Sequence, residues 1–455
     1  MDVAENALAA TGVEIRAAGD GDEVAGVRPR LVALPGSAEE IAAVMRACAA
    51  HDLAAVATGG RTKLHWGARP ERCDVLVDLS RMNRVLEHTA GDLVVRAQAG
   101  VTLEALADAL AGENQELALD VPVPGTTVGG LLATGIAGPR RFRYGTARDL
   151  LIGVTVVLAD GTIARSGGKV VKNVAGYDLG KLFTGSYGTL GIIADATFRL
   201  HPLPAARAWV TATVERPVTE TDGTWTNEDG LTFETLTTDL AASLAAAVPA
   251  VTGSQLEPSA VEIDWPDVKG PCTVAVLVEG AAAAERAKAL CGLMGELMGE
   301  TAEVTEEPPP WWGRLPEPPG RAAEPPGAKP AAPHAGEILL EVRNASSRLA
   351  ETFLGFLQAA QVTGFRAVLR GSLAAQVLHI ALPPDTEPAL VAGFTSQLRA
   401  GLGEQARVVV LAAPPEAARR LDRWGRVGAL SLMRRVKERF DPGRRLSPGR
   451  FVGGI

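Results

Sequence analysis

Three glycine-rich stretches and one run of arginines hold the groups that could do chemistry in this chain. Residues 58–63 read Thr58, Gly59, Gly60, Arg61, Thr62, Lys63, directly after a short apolar run. A strand that breaks into a glycine turn with hydroxyls can aim successive N–H groups inward and cradle a phosphate. An ordinary strand-to-loop turn has the same pattern. Residues 121–139 include Pro124, Gly125, Thr126, Thr127, Gly129, Gly130, Gly135, Ala137 and Gly138. So few large side chains suit a flat ring lying against backbone, or close packing of backbone on backbone. Arg140, Arg141, Arg143 and Arg148 follow, four arginines in nine residues. They read as a solvated loop or as a grip on carboxylate or phosphate, since the guanidinium fork matches both. The third stretch, 167–200, holds Lys172, Tyr177, Asp178 and a ladder of Gly185, Gly188 and Gly191.

The elements that must position these groups are legible from periodicity and punctuation. Residues 30–33 form a strand, and Ser37 caps the helix that follows, with Glu40 completing a capping box. Ile41, Val44, Met45 and Cys48 share one face of that helix. Strands are expected at 75–79 and 93–99, a helix at 102–111 capped by Thr102, and a strand at 149–159. Asp160-Gly161 then turns a hairpin into 162–165. Past residue 200, strands are expected at 208–214, 260–265 and 272–278, and helices at 241–248 and 281–300. Residues 306–336 are rich in Pro, Gly and Ala and read as a long loop, with Trp311-Trp312 anchoring a partner or pinning the loop to its own domain. Strand and helix alternate from 337 to 411, which suits an antiparallel sheet with helices on one face. A last helix is expected at 419–438.

With 455 residues, two or three domains are expected. The 45 basic and 53 acidic residues leave a formal charge of −8, which argues against a nucleic-acid partner. Cys48, Cys73, Cys272 and Cys291 lack CxxC spacing, so neither zinc nor an iron–sulfur cluster is expected, and a reducing compartment suits them. No signal peptide and no membrane span are expected. Gly185, Gly188 and Gly191 are spaced by three, which is not the dinucleotide fingerprint G-x-G-x-x-G, and this disfavours a nicotinamide enzyme.

The segments ATGGRTKL, PGTTVGGLLATGIAGPRRFRYGTARDLLIG, GGKVVKNVAGYDLGKLFTGSYGTLGIIADATF and FDPGRRLSPGRF together resemble the FAD-binding oxidoreductases of the vanillyl-alcohol oxidase type. Within that group the chain is most similar to the FAD-binding subunit of bacterial glycolate oxidase; GIAGPRR and KNVAGYDL carry that likeness. The resemblance is strong over 28–205 and returns at 434–451. It implies an α+β fold: a PCMH-type two-lobed FAD-binding domain plus an α+β antiparallel-sheet cap. The implied division is an N-terminal extension (1–27), the FAD-binding domain (28–205), a cap (206–415) with the Pro-rich loop, and a segment returning to the FAD domain (416–455).

The resemblance also assigns roles. Thr58, Gly59, Gly60, Arg61, Thr62 and Lys63 correspond to the pyrophosphate loop. Pro124, Gly125, Thr126, Thr127, Gly129, Gly130, Gly135, Ala137 and Gly138 correspond to the loop along the flavin, and Gly188, Gly191, Ile192 and Ile193 to a third binding edge. Some members tie FAD through a histidine in the first loop. Here His65 lies beyond that loop, so non-covalent FAD is expected. Lys172 and Tyr177 are the polar groups expected at the ring, as catalytic residues. Arg140, Arg143 and Arg450 are expected to bind substrate.

Related lids hold a metal through an H-x-G-D-G-N-x-H type segment. Here the comparable stretch runs from Arg370 to His379 with His379 alone, so no metal is expected and His379 reads as structural, beside an apolar strand face. The implied function is oxidation of a small 2-hydroxy acid, glycolate to glyoxylate, with electrons passed through flavin to a partner iron–sulfur subunit; a sister FAD-containing glycolate oxidase subunit is the other implied partner. The expected location is cytoplasmic, held at the inner membrane only through partners. Two readings compete with it. One is a non-catalytic electron-relay or scaffold subunit. The other is a self-sufficient dehydrogenase of D-lactate or another 2-hydroxy acid, complete in one polypeptide.

Overall fold

The computed structural model describes residues 3–168, 177–214, 219–226, 232–237, 239–268, 270–298, 302–319 and 336–455. The chain opens with α1 (Val3–Ala9), β1 (Glu14–Ala17), β2 (Leu31–Leu34), α2 (Ala38–Ala50), β3 (Ala55–Thr58) and β4 (Val75–Asp78). These strands form a sheet of order β1-β2-β4-β3, in which β2, β4 and β3 run parallel. Helix α2 starts where its capping chemistry dictates: Glu40 N donates to Ser37 Oγ at 3.1 Å, and Gly36 N donates to Glu40 Oε2 at 2.7 Å. Its apolar face, Ile41, Val44, Met45 and Cys48, is buried. The first 27 residues are no appendage. β1 pairs antiparallel with β2, and Leu8 and Val13 sit in the core, because apolar side chains there complete the edge of the sheet.

Next come β5 (Val85–Thr89), β6 (Val94–Gln98), α3 (Leu103–Ala111), β7 (Gln115–Glu116), α4 (Val128–Thr134), α5 (Arg141–Tyr144), α6 (Ala147–Leu150), β8 (Leu151–Val157), β9 (Ile163–Gly167), β10 (Ile192–Arg199) and β11 (His201–Pro202). β5-β6-β10-β8-β9 form an antiparallel sheet, and β7 pairs with β11. The β8–β9 hairpin turns at Asp160-Gly161, where Thr162 N donates to Asp160 Oδ1 at 2.8 Å. One hydrophobic core joins the two sheets.

The cap holds β12 (Arg207–Val214), β13 (Thr219–Thr226), β14 (Thr232–Thr237), α7 (Asp239–Thr252), β15 (Ala260–Trp265), β16 (Cys272–Glu279), α8 (Ala283–Met298), β17 (Ala302–Thr305), β18 (Ile338–Arg343), α9 (Leu349–Thr363), β19 (Val368–Ser372), β20 (Val377–Leu382), α10 (Pro388–Leu402) and β21 (Arg407–Ala412). Its main sheet has eight strands in the order β17-β12-β16-β15-β19-β20-β18-β21. Strand alternation sorts its residues onto two faces. Ile263, Leu369, Ile380 and Leu340 pack with the helices in a second core. Asp264, Arg370, His379 and Glu341 lie opposite one another on successive strands and occupy the other face, away from that core.

Residues 306–319 cross this polar face. Trp312 packs edge-on against Trp209 at 6.2 Å, and Arg370 Nη1 donates to the Leu315 carbonyl at 2.8 Å. The tryptophan pair thus meets its own domain; residues 320–335 of the Pro-rich segment lie outside the described residues. Of the helix expected at 419–438 only the part from residue 430 forms, as α12 (Leu430–Phe440), while a separate short α11 (Pro415–Ala418) ends before it. Asp422 Oδ1 accepts from the backbone N–H groups of Trp424 and Gly425, a local turn that competes with helix. The tail then returns to the first lobe. Ala55 N donates to Arg445 O at 2.7 Å, and the buried Lys437 ammonium donates to the Thr189 and Leu446 carbonyls and pairs with Asp441 at 2.6 Å. Among the described residues, no helix is long and apolar enough to cross a membrane.

Candidate functional site

A cleft opens where β3 ends, between the loop 58–64 and α4. Thr58, Gly59, Gly60, Arg61, Thr62, Lys63, Thr127 and Gly130 line it. Ala133, Thr134, Tyr187 and Arg450 complete the wall. The loop is held tight. A Cβ at Gly60 would overlap the Gly125 carbonyl oxygen, and one at Gly59 would overlap Thr127 Oγ1. Helix α4 points its N-terminus here, with Thr127 capping it through Gly130 N at 3.3 Å.

Two groups in the cleft are incomplete. Thr58 Oγ1 is buried without a hydrogen-bond partner. Lys63 is 7 % exposed and donates only to hydroxyls, Thr126 at 2.6 Å and Thr62 at 2.9 Å. Burial pushes its pKa down to about 7, opposed by the distant Glu104 carboxylate. A cationic group held in a dry cradle with no carboxylate beside it fits an anion. Arg61 is different. Its backbone adopts φ +60°, and its guanidinium is already committed to Asp22 at 2.5 Å and Asp78 at 2.7 Å. Only its backbone is free for a ligand.

The other residues expected at the cofactor divide. Ala137 and Gly138 line a second, smaller chamber between the first lobe and the cap sheet. Gly125 and Thr126 back the cleft, where Thr126 receives the Lys63 hydrogen bond and the Gly125 carbonyl abuts Gly60, while Pro124 is exposed. Gly135 ends α4 in the left-handed conformation. Gly188 and Gly191 pack against Ser447 and Phe183, while Ile192 and Ile193 begin β10 inside the core; these four lie outside the cleft wall.

The arginines sort in a way that adjacency conceals. Arg140 is buried in an ion cluster with Glu116 at 2.8 Å, Asp120 at 2.9 Å and Glu279 at 3.6 Å. Burial opposes its charge, but these carboxylates hold its pKa above the ordinary arginine value. Arg143 is exposed, beside Glu257 and over the Tyr144 ring. Arg450 is buried and donates to the carbonyls of Leu64 at 3.1 Å and Trp66 at 2.7 Å, fastening the tail to the first loop. None of these three expected substrate ligands faces the chamber. The arginine that does is Arg141, at the start of α5. Its guanidinium makes no hydrogen bond or ion pair with any described residue; burial lowers its pKa.

Opposite Arg141 stand Glu262, Ser372 and His379 of the cap sheet. Glu262 is 5 % exposed, and burial pushes its pKa up to about 8 against the pull of Ser372, Arg141 and Arg370. The sequence signal for Glu262 is only an acid inside an apolar strand, which gives no hint of its partners. His379 is 6 % exposed and turns away from the apolar face expected for it. Its Nε2 lies 3.6 Å from Glu341 Oε2, beyond hydrogen-bonding distance. Burial works against ionisation of Glu341, yet the neighbouring His379 ring and the Arg343 guanidinium hold its carboxyl well below the usual carboxylate range. Tyr177 is 92 % exposed, which removes it from any buried ring site. Lys172 lies outside the described residues. Among the described residues, no group of three or more His, Cys, Asp or Glu side chains is placed to hold a metal.

Residues 29–167 match the family model for an FAD binding domain, and FAD is the cofactor. The D-2-hydroxyglutarate dehydrogenase of Xanthomonas citri pv. viticola is 39 % identical over 177 residues, 39 % of this chain and 38 % of that protein. Glycolate oxidase subunit GlcD of Bacillus subtilis is 37 % identical over 192 residues, 41 % of this chain and 40 % of that protein. The chain thus spans about two-fifths of the length of these curated relatives. Among solved structures, a chitooligosaccharide oxidase superposes with a TM-score of 0.66 over 98 % of both chains at 16 % identity. That likeness shows the fold: a two-lobed FAD-binding domain carrying an α+β cap.

Proposed function

We propose that this chain is an FAD-dependent oxidoreductase acting on a small 2-hydroxy acid, with glycolate to glyoxylate as the leading reaction. The observation that carries this reading is the unpaired Arg141 guanidinium in a chamber between the FAD-binding lobe and the cap sheet. A carboxylate is the natural complement of that fork. The two relatives named above act, by name, on 2-hydroxy acids, which supports the same class.

Lys63, the Thr58 hydroxyl and the N–H groups of residues 59–62 would hold the FAD diphosphate, helped by the N-terminus of α4. When bound, FAD supplies the two-electron acceptor. The protein's own residues supply the rest. Arg141 orients the substrate carboxylate, and the loop bearing Gly313 and Leu315 forms one wall of the chamber. His65, the histidine nearest the first loop, is engaged with Glu337 at 2.6 Å, which favours non-covalent FAD. As part of this proposal, electrons leave through a partner subunit with iron–sulfur clusters.

A second reading is an electron-relay or scaffold subunit. It draws on Arg370, whose ion pair with Asp264 at 2.7 Å fills the place where related lids carry a metal-binding histidine segment. One experiment separates the two. The isolated protein is purified, its flavin spectrum recorded, and glycolate added without oxygen. Bleaching of the flavin band supports turnover by this chain. A yellow protein that never bleaches leaves the relay reading, and a colourless protein with no affinity for FAD defeats both.

A further inference from the structure

The chamber beside α5 gathers polar atoms from three elements that no described residue hydrogen-bonds, although Glu262 also feels Ser372 and His379 lies 3.6 Å from Glu341. The Arg141 guanidinium has no partner among the described residues. Glu262 Oε1 on β15 and His379 Nε2 on β20 are both buried without a hydrogen bond. Buried polar atoms are seldom left unpaired, and a guanidinium facing a protonated carboxyl across one space fits a ligand that brings anionic oxygens. The chamber is narrow, so only a small ligand suits it, and a monocarboxylate is the smallest that brings the oxygens Arg141 pairs with.

We infer that this chamber is a carboxylate seat coupled to a proton: Arg141 receives the ligand's carboxylate, and Glu262 binds it only in its protonated form, donating to one of its oxygens. The inference rests on the reading above in taking the substrate's carboxylate as the occupant. Its physical basis is that two carboxylates sharing one desolvated site cannot both ionise. The groups facing Glu262 set the balance. Asp120, ahead of α5, adds to the burial that favours the protonated form. Arg141 on α5, and Ser372 and Arg370 on β19, pull the other way, and Arg370 is partly neutralised by Asp264 of β15. His379 on β20 is backed by the Glu341–Arg343 pair of β18, and Arg314 reaches the chamber from the crossing loop.

The test uses the FAD-loaded protein and acetate, which has the carboxylate but no hydroxyl to oxidise. Calorimetric titrations in two buffers of different ionisation heat count the protons taken up on binding. The expected result is uptake approaching about one proton near pH 9 and none near pH 6. Glu262→Gln, which keeps a donor, should bind acetate with no uptake at either pH. Arg141→Met should weaken binding by at least about tenfold, with Arg141→Lys intermediate. Acetate binding without proton uptake near pH 9, or unchanged affinity in both Arg141 variants, overturns the inference. A seat that behaves as stated in a protein whose flavin glycolate never bleaches upholds the inference and sinks 2-hydroxy-acid oxidation by this chain. Flavin bleaching by glycolate at wild-type affinity in Arg141→Met upholds oxidation and sinks the seat.

Discussion

Arg207, on the first strand of the cap sheet, donates to Glu116 of the FAD-binding lobe at 3.0 and 2.9 Å. Arg140 of the lobe answers across the same seam, 3.6 Å from Glu279 of the cap. Each domain thus lends one arginine and one carboxylate to a crossed clamp, and Tyr144 adds a hydrogen bond to Glu279 at 3.0 Å. The chamber lies beside this clamp, since Arg141 follows Arg140 directly. The seam therefore sets where Arg141 points.

Removing the buried member should loosen the seam. Arg140→Met leaves Glu116, Asp120 and Glu279 short of a counter-charge, and such a break costs about 3–5 kcal/mol. The expected outcome is a clearly lower urea midpoint. The exposed Arg143→Met, by contrast, should shift it by no more than about 0.5 kcal/mol.

Lys63 predicts a pH dependence of cofactor affinity. Its folded pKa is lowered to about 7, so the free protein loses the Lys63 charge above that pH. A bound diphosphate restores it. FAD affinity should be constant below about pH 7 and fall by up to tenfold per unit above it. Lys63→Met should bind more weakly and lose that slope. Fluorescence titration of the free protein with FAD measures both.

The first loop has no room for a side chain. Gly60→Ala drives a methyl group into the Gly125 carbonyl oxygen, backbone against backbone, so neither partner can yield cheaply. The purified variant should carry little or no flavin, read as the ratio of absorbance at the flavin band to that of protein. A substitution at Gly292, whose Cβ direction is open, should leave flavin content unchanged.

Glu262 should make stability fall with rising pH over a defined window. Its folded pKa is raised to about 8 from an ordinary carboxyl value of 4.5, so the unfolded chain releases this proton first. The contribution is neutral below the unfolded value. It becomes unfavourable as pH rises toward about 8 and levels off above, with a slope of at most about 1.4 kcal/mol per unit. Glu262→Gln should therefore raise the melting temperature near pH 8 and change it little near pH 4.

Much of the scaffold is legible in the residues. Ser37 with Glu40, the Thr102 cap and the Asp160-Gly161 turn are local devices whose partners lie within four residues, so sequence spacing settles them. The glycine loop at residues 58–63 is legible for the same reason, since a phosphate cradle is built from consecutive backbone. Its rigid opposing wall at Gly125 and Thr127 is legible only as a second glycine-rich stretch.

Sequence by itself thus determined the short-range parts: the caps, the hairpin, the strand alternation of the cap and the glycine loop that lines the cleft. Tertiary structure decided which side chains meet. Arg140 precedes the first residue of α5 and locks into carboxylates while Arg141, inside it, enters the chamber, and no pattern of four arginines distinguishes them. Glu262 and His379 are 117 positions apart, a separation bridged only by the strand order β15-β19-β20. An aromatic ring such as that of Tyr177 reads as buried until packing shows it 92 % exposed. The physical reason is common to all three. Direction and long-range pairing are properties of the packed sheet and its seam, and they have no counterpart in local spacing.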